Sequence, residues 1–211
     1  MELIFIRHGE STANRQGVIQ GQGDFPLSGT GKEQARLSAD ALCELRPACI
    51  YSSPLSRALE TAHIINEPHG AELVTLPELM EYDLGEFEGL TMEEIRERCP
   101  AVQERIERGV PFHHLPANAE TDEKVEKRAE EALRTILESG HDPVLVVSHL
   151  GVLALMISSL LERLDLPNPS GGNLLLKNCS ISRVRTRPVP ELIAFNNDTH
   201  LSSFAREARF R

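Results

Sequence analysis

The chain has 211 residues, a formal net charge of −10, 40% apolar and 4% aromatic residues, and no tryptophan. Such a length suits one domain, residues 1–211, with a core built from Leu, Ile, Val and Ala. The acidic balance argues against binding a nucleic-acid backbone, and no apolar run nears the ~20 residues of a membrane-spanning helix.

In chain order, Leu3–Ile6 is an apolar, strand-prone run that stops at Arg7, His8 and Gly9. It reads as a buried parallel strand, and in open α/β sheets ligands bind outside the carboxyl ends of the strands. A cation and an imidazole there point to an anionic ligand. Residues 11–17 are helix-compatible at their start, and residues 21–31, with Gly and Pro26, form a loop. Lys32 to Leu45 has helical apolar spacing. Cys49–Ser53 is a short strand, and a helix runs from Pro54 to about Ile65. Its start sets Arg57 among free backbone N–H groups, either as an anion site or as a serine-capped turn with a solvated arginine.

Glu72 to Leu76 is the next strand, followed by the acid-rich stretch 77–89. A charged helix from Thr91 to about Arg108, broken by Pro100, and a loop from Gly109 to Asn118 make an insertion over about 86–120 that reads as a small helical cap. The helix from Thr121 to Glu138, capped by Thr121 or Asn118, carries charges most simply read as a solvated face. Val144–Val147 is then a second apolar run, ending in Ser148-His149-Leu150-Gly151. Two such endings in one sheet bring His8 and His149 to one edge. The helix from Gly151 to about Leu164 is apolar nearly all round and hence buried. After a turn-rich loop over 167–172, Leu174–Leu176, Ser180–Arg185 and Glu191–Asn196 read as closing strands, the last two antiparallel. An edge strand there is free to pair two copies as a homodimer or to stay unpaired. Arg206, Arg209 and Arg211 read as a solvated tail.

Cys43, Cys49, Cys99 and Cys179 show no CxxC spacing and no signal peptide precedes them, which predicts a cytoplasmic protein. No metal is expected. His113 and His114 are adjacent and share no helix or strand face, so they read as exposed loop residues or as cap residues touching substrate. The chemistry collects elsewhere: a neutral histidine attacks phosphorus without prior deprotonation, arginines clamp phosphoryl oxygens, and a carboxylic acid protonates the leaving alkoxide.

Arg7-His8-Gly9-Glu10 resembles the signature of the histidine phosphatase superfamily, the phosphoglycerate mutase-like proteins. Further matches lie in Asp24-Phe25-Pro26-Leu27 with Gly31 and Gln34-Ala35, in Ser52 through Ala58 with Thr61-Ala62, in Glu81 through Gly89, in Ser148-His149 and in Asn197 through Leu201. The resemblance implies a three-layer α/β/α sandwich with a mostly parallel sheet and a variable helical cap. It also implies that His8 takes the phosphoryl group while Arg7, Arg57 and His149 hold it. Glu81 matches the proton donor, Asn14 a further phosphate contact, and Gln20 and Gly21 a substrate-facing turn. Leu150 stands where the family often has glycine, which keeps a backbone N–H contact but makes the wall apolar, and Phe87 stands where tryptophan is common.

Three functions follow for comparison. The first is a metal-independent phosphomonoesterase acting on a small phosphorylated metabolite, with no cofactor. The second is a bisphosphoglycerate-dependent mutase. The compact cap, the lack of a mutase-like Glu-Arg-His-Tyr-Gly run and the closing Asn197–Leu201 resemble the phosphatase branch. The third, a non-catalytic phosphate-binding regulator, fits poorly with the presence of both His8 and Glu81.

Overall fold

The computed structural model describes residues 1–169 and 175–202. Its frame is a six-stranded sheet of β1 (Glu2–Arg7), β2 (Cys49–Ser52), β3 (Glu72–Thr75), β4 (Val144–Ser148), β5 (Ile181–Arg185) and β6 (Glu191–Asn197), in the order β3-β2-β4-β1-β5-β6. The first four of these positions are parallel, and β5 runs antiparallel to both β1 and β6. The central strands are apolar on both faces because both faces are covered. Leu3, Phe5, Val144 and Val146 pack with α6 (Asp122–Glu138) and α7 (Leu150–Arg163). Ile4, Ile6, Leu145 and Val147 pack on the opposite side with Ala58, Ala62 and Ile65 of α3 (Ser56–Asn66) and with Leu42, which follows α2 (Gly29–Ala41). The result is the expected α/β/α sandwich.

The register of β1 against β4 pairs Arg7 with Ser148, and the His8 N–H continues it by donating to the Ser148 carbonyl at 2.9 Å. Both histidines therefore follow the strand ends side by side. This is the topological point at which an open α/β sheet offers a crevice.

Between β3 and α6 the chain builds a smaller cluster of its own. The expected helix over 91–108 breaks at Cys99 and Pro100 into α4 (Met92–Arg98) and α5 (Ala101–Glu107). Ile95 and Val102 from these helices bury against Phe87 and Leu115. The loop after α5 contains one 3₁₀ turn, Phe112–His114.

Several boundaries differ from the sequence expectation for identifiable reasons. Helix α2 starts at Gly29 because the Ser28 hydroxyl caps it, accepting from Gly31 N–H at 3.0 Å. Asn118 caps nothing; its Oδ1 accepts from Glu86 N–H, and Thr121 precedes α6 without a side-chain cap bond. No strand forms at Leu175 and Leu176, and Leu174 lies outside the described residues. Their carbonyls are taken by side chains instead, from Asn196 Nδ2 at 2.7 Å and Arg7 Nη1 at 2.6 Å, so no ladder is needed. Residues 170–172 of the expected loop and the arginines of the tail also lie outside the described residues.

Candidate active site

His8 is 3% exposed, and its Nδ1 lies 2.7 Å from the Gly9 carbonyl. A carbonyl only accepts, so Nδ1 carries the proton and Nε2 keeps its lone pair. Burial, then the charges of Arg7 and Arg57, hold the His8 pKa well below the ordinary histidine value. The ring is neutral, with a nucleophilic nitrogen.

His149 is fully buried, and its pKa is depressed for the same reasons, burial first and then Arg57. Its Nε2 lies 2.8 Å from the Ser53 hydroxyl, which also accepts from Leu55 N–H at 3.3 Å. Both groups are satisfied when Ser53 gives its proton to Nε2 and His149 Nδ1 carries a hydrogen. That Nδ1 is buried and has no partner within the chain, a donor left over for a ligand.

The two arginines are anchored at one end of the guanidinium and unpaired at another nitrogen. Arg57 is 1% exposed and donates through Nη1 to the Gly23 carbonyl at 2.9 Å and through Nη2 to Gly21 at 2.7 Å. Burial lowers its pKa to about 10, against the raising effect of the Glu81 charge. Arg7, also lowered by burial, donates to Leu176. In both residues Nε is buried without a partner. Gly21 holds the turn that receives Arg57: its φ is +51°, and a Cβ there would lie 2.0 Å from Glu88 Oε1.

Among the described residues, Glu81 is the one acid lining the cavity of about 500 Å³ that also contains Arg7, His8 and Arg57. Its Oε2 accepts from Gly151 N–H and its Oε1 from Tyr82 N–H, both at 3.1 Å. The neighbouring acids are committed elsewhere. Glu88 Oε1 accepts from Gln22 and Leu84 N–H, Glu86 from Ala117 N–H and Asp83 from Gly85 N–H.

Asn14, Gln20, Gly21 and Leu150 also line the cavity. Asn14 stands at the start of α1 (Thr12–Gln16), in a capping box with Ser11, rather than at the helix end. Its Oδ1 accepts from Ser11 N–H at 3.1 Å, which turns its amide nitrogen away from the cap. Ser11 Oγ in turn donates to Gln20 Oε1 at 2.6 Å.

Four contributors escaped the sequence reading. Ser53 fixes His149, and Asn178 Nδ2 donates to the His8 carbonyl at 2.9 Å. Tyr82 covers the Glu81 side and lines the cavity. Arg128, read as part of a solvated face, instead donates to the carbonyls of Glu78, Met80 and Glu81 and pairs with Glu120. The physical reason is that residues 77–84 lie outside any sheet, so their carbonyls need side-chain donors. A loop rich in unpaired carbonyls facing a helix with one central arginine is the signal that was available.

His113 and His114 lie in the loop, His114 exposed and His113 half-buried, and their side chains converge. Both Nε2 atoms reach the Asp122 carboxylate, and His113 also lines the cavity and packs on Tyr82 with ring centroids 4.7 Å apart.

Paired neutral imidazoles flanked by a buried and a half-buried guanidinium at the carboxyl edge of a parallel sheet belong to an enzyme that handles phosphoryl groups, a phosphatase-type α/β protein. The chain belongs to the histidine phosphatase superfamily (branch 1), whose family model matches residues 3–199. It is 33% identical over 194 residues to the probable phosphoglycerate mutase GpmB of Cronobacter sakazakii, covering 91% of this chain and 88% of that one. Its fold superposes on the alpha-ribazole phosphatase of Shigella flexneri with a TM-score of 0.81 at 26% identity, covering 94% and 97% of the two chains. The phosphoserine phosphatase of Entamoeba histolytica, solved with 3-phosphoglyceric acid, gives 0.72 at 30% identity over 95% and 98%. No helix among the described residues is long and apolar enough to cross a membrane.

Proposed function

We propose that this chain hydrolyses small phosphomonoesters through a phosphohistidine on His8. The Nε2 lone pair attacks phosphorus, the bond from phosphorus to the ester oxygen breaks, and that oxygen takes the proton of the Glu81 carboxylic acid. Water then gives a proton to the Glu81 carboxylate and attacks phosphorus, the N–P bond breaks, and phosphate leaves with His8 restored. Arg7, Arg57 and His149 hold the phosphoryl oxygens throughout, and the Asn14 amide and Leu150 N–H are further donors. The observation that carries this reading is the buried His8 ring, with Nδ1 2.7 Å from the Gly9 carbonyl and its charged form opposed by burial and by the half-buried Arg7 and the buried Arg57. No step calls on a metal or cofactor.

The rest of the cavity describes the leaving group. Val18, Ile19, Leu84, Phe112, Leu150 and Leu155 line it, and among the described residues its cations are Arg7 and Arg57 alone. Both act electrostatically on His8, so they belong to the phosphoryl end. Among the described residues, a second anionic group, such as the carboxylate of phosphoglycerate, meets no cation of its own in the cavity lining. An ester with an apolar or aromatic leaving group fits this wall better, and the wall supports hydrolysis over the mutase reading that the GpmB relative raises. In this account residues 86–120 serve as a cap within one domain, because Phe112 and His113 complete the wall.

The test is a panel of phosphomonoesters from 3-phosphoglycerate to aryl and alkyl phosphates, with phosphate release and bisphosphate-primed isomerisation followed in parallel. The expected result is hydrolysis that favours apolar esters and vanishes in His8→Ala. Isomerisation dependent on a bisphosphate primer moves the chain to the mutase function instead.

A further inference from the structure

Outside the phosphoryl site, His113, His114 and Asp122 converge on one point. His113 Nε2 lies 2.9 Å from Asp122 Oδ1, and His114 Nε2 lies 2.7 Å from Oδ2. The two imidazoles stand edge to face, 4.4 Å apart at 71°, so their Nε2 atoms meet although the residues are adjacent. One nitrogen or oxygen from each of the three lies within 4.8 Å of those of the others. Asp122 Oδ1 is buried and makes no hydrogen bond, since the approach of His113 lacks the alignment of one. It points into the cluster, facing His113 Nε2 at 2.9 Å.

The three groups also stand on fixed backbone. Arg105 donates to the carbonyls of His114 and Leu115 and braces the turn. Asp122 is the first residue of α6, and His113 rests against Tyr82. Ligands about 2.0–2.2 Å from a tetrahedral ion lie roughly 3.4 Å from one another. The observed contacts reach that value by opening from 2.9 and 2.7 Å, by roughly 0.5 and 0.7 Å.

We propose that His113, His114 and Asp122 bind one divalent transition-metal ion at the cavity rim. Two imidazoles and one carboxylate are a donor set for zinc or cobalt rather than magnesium or calcium, and they leave a fourth position to water. The ion ties the Phe112–His114 turn to α6. Because Phe112 and His113 form part of the cavity wall, occupancy fixes that wall. The phosphoryl chemistry does not pass through it, and the site stands independently of the function proposed above.

The experiment is titration of chelator-treated full-length protein with Co²⁺, read by the visible absorption of a tetrahedral nitrogen–oxygen site and followed by displacement with Zn²⁺. One ion per chain is expected, with affinity unchanged by saturating inorganic phosphate. His114→Gln and Asp122→Asn each weaken binding by about tenfold or more. Neither residue lines the cavity, and an unchanged far-ultraviolet circular dichroism spectrum of both metal-free variants shows that the fold is intact. Absence of a Co²⁺ spectrum overturns the site. So does equal affinity in both variants, or loss of binding when phosphate is added, either of which puts the ion elsewhere, for instance at His8 and His149.

Discussion

The imidazoles of His8 and His149 lie with centroids 5.1 Å apart and ring planes at 56°, and burial keeps both uncharged. In the unfolded chain each takes a proton near pH 6.5, whereas in the folded chain neither does until the pH is far lower. The unfolded state therefore binds more protons below pH 6.5. Stability is fully present above that pH and falls as the pH drops through it, by up to about 2.7 kcal/mol per pH unit for two such groups. Denaturant titrations between pH 7.5 and 5 check this, and His149→Asn is expected to shallow the slope. A stability that stays level across that range contradicts two buried neutral histidines.

Arg57 spends Nη1 and Nη2 on the Gly23 and Gly21 carbonyls and keeps Nε free. A lysine in its place offers one point charge and cannot keep this forked arrangement. Arg57→Lys is expected to lower kcat about 10²-fold, the scale for losing a donor to transition-state charge. Arg57→Ala adds a loss of about 1–3 kcal/mol for each stranded carbonyl. Kinetics and denaturation on both variants separate the two effects; a lysine variant with wild-type kcat removes Arg57 from the phosphoryl clamp.

Glu81 as proton donor has a signature in the leaving group. In single turnovers that follow phosphorylation of His8, Glu81→Gln is expected to slow transfer by about 10²–10⁴-fold from alkyl phosphates and much less from nitrophenyl phosphate, whose leaving oxygen needs no proton. Gly151→Ala tests the same atom by crowding: the added Cβ would lie 2.6 Å from Glu81 Oε1 and 2.7 Å from the Tyr82 ring. It is expected to reproduce the alkyl-ester defect while leaving inhibition by inorganic phosphate intact. Equal losses in that first transfer on both ester types would place Glu81 outside protonation of the leaving group.

Arg128 is a positioning residue. With the Arg128–Glu120 pair only 15% and 14% exposed, Arg128→Ala strands the Glu120 charge and the carbonyls of Glu78, Met80 and Glu81. The expected cost is about 3–5 kcal/mol of stability. Arg128→Lys is expected to recover part of the stability but to keep the alkyl-ester defect, because a single ammonium cannot hold the Glu81 carbonyl together with the others. Recovery of both together reduces Arg128 to a structural pair.

The sandwich was legible because its strands are local signals. Leu3–Ile6 and Val144–Val147 are apolar on both faces, and each stops at a histidine, so the site edge could be read before any register was known. The resemblance to the family supplied Glu81, which residue chemistry alone left in competition with its acidic neighbours. The contacts that choose among those acids are long-range: Gly151 N–H and Arg128 are far from Glu81 in the chain. The same distance hid Ser53 behind His149. Of the closing strand expected at Leu174–Leu176, the described residues Leu175 and Leu176 form none, for a different reason. Apolar character signals burial, and Leu176 is buried, but strand formation depends on who takes the carbonyls, here Arg7 and Asn196.

The most direct test of the central claim traps the intermediate. Protein mixed with a fast aryl phosphate, quenched in base within one turnover and digested is expected to carry one phosphoryl group on the peptide containing His8. Phosphorus NMR should show it bonded to Nε2, and the adduct should be absent from His8→Ala. A phosphoryl group found on another residue, or turnover that persists in His8→Ala, contradicts the account.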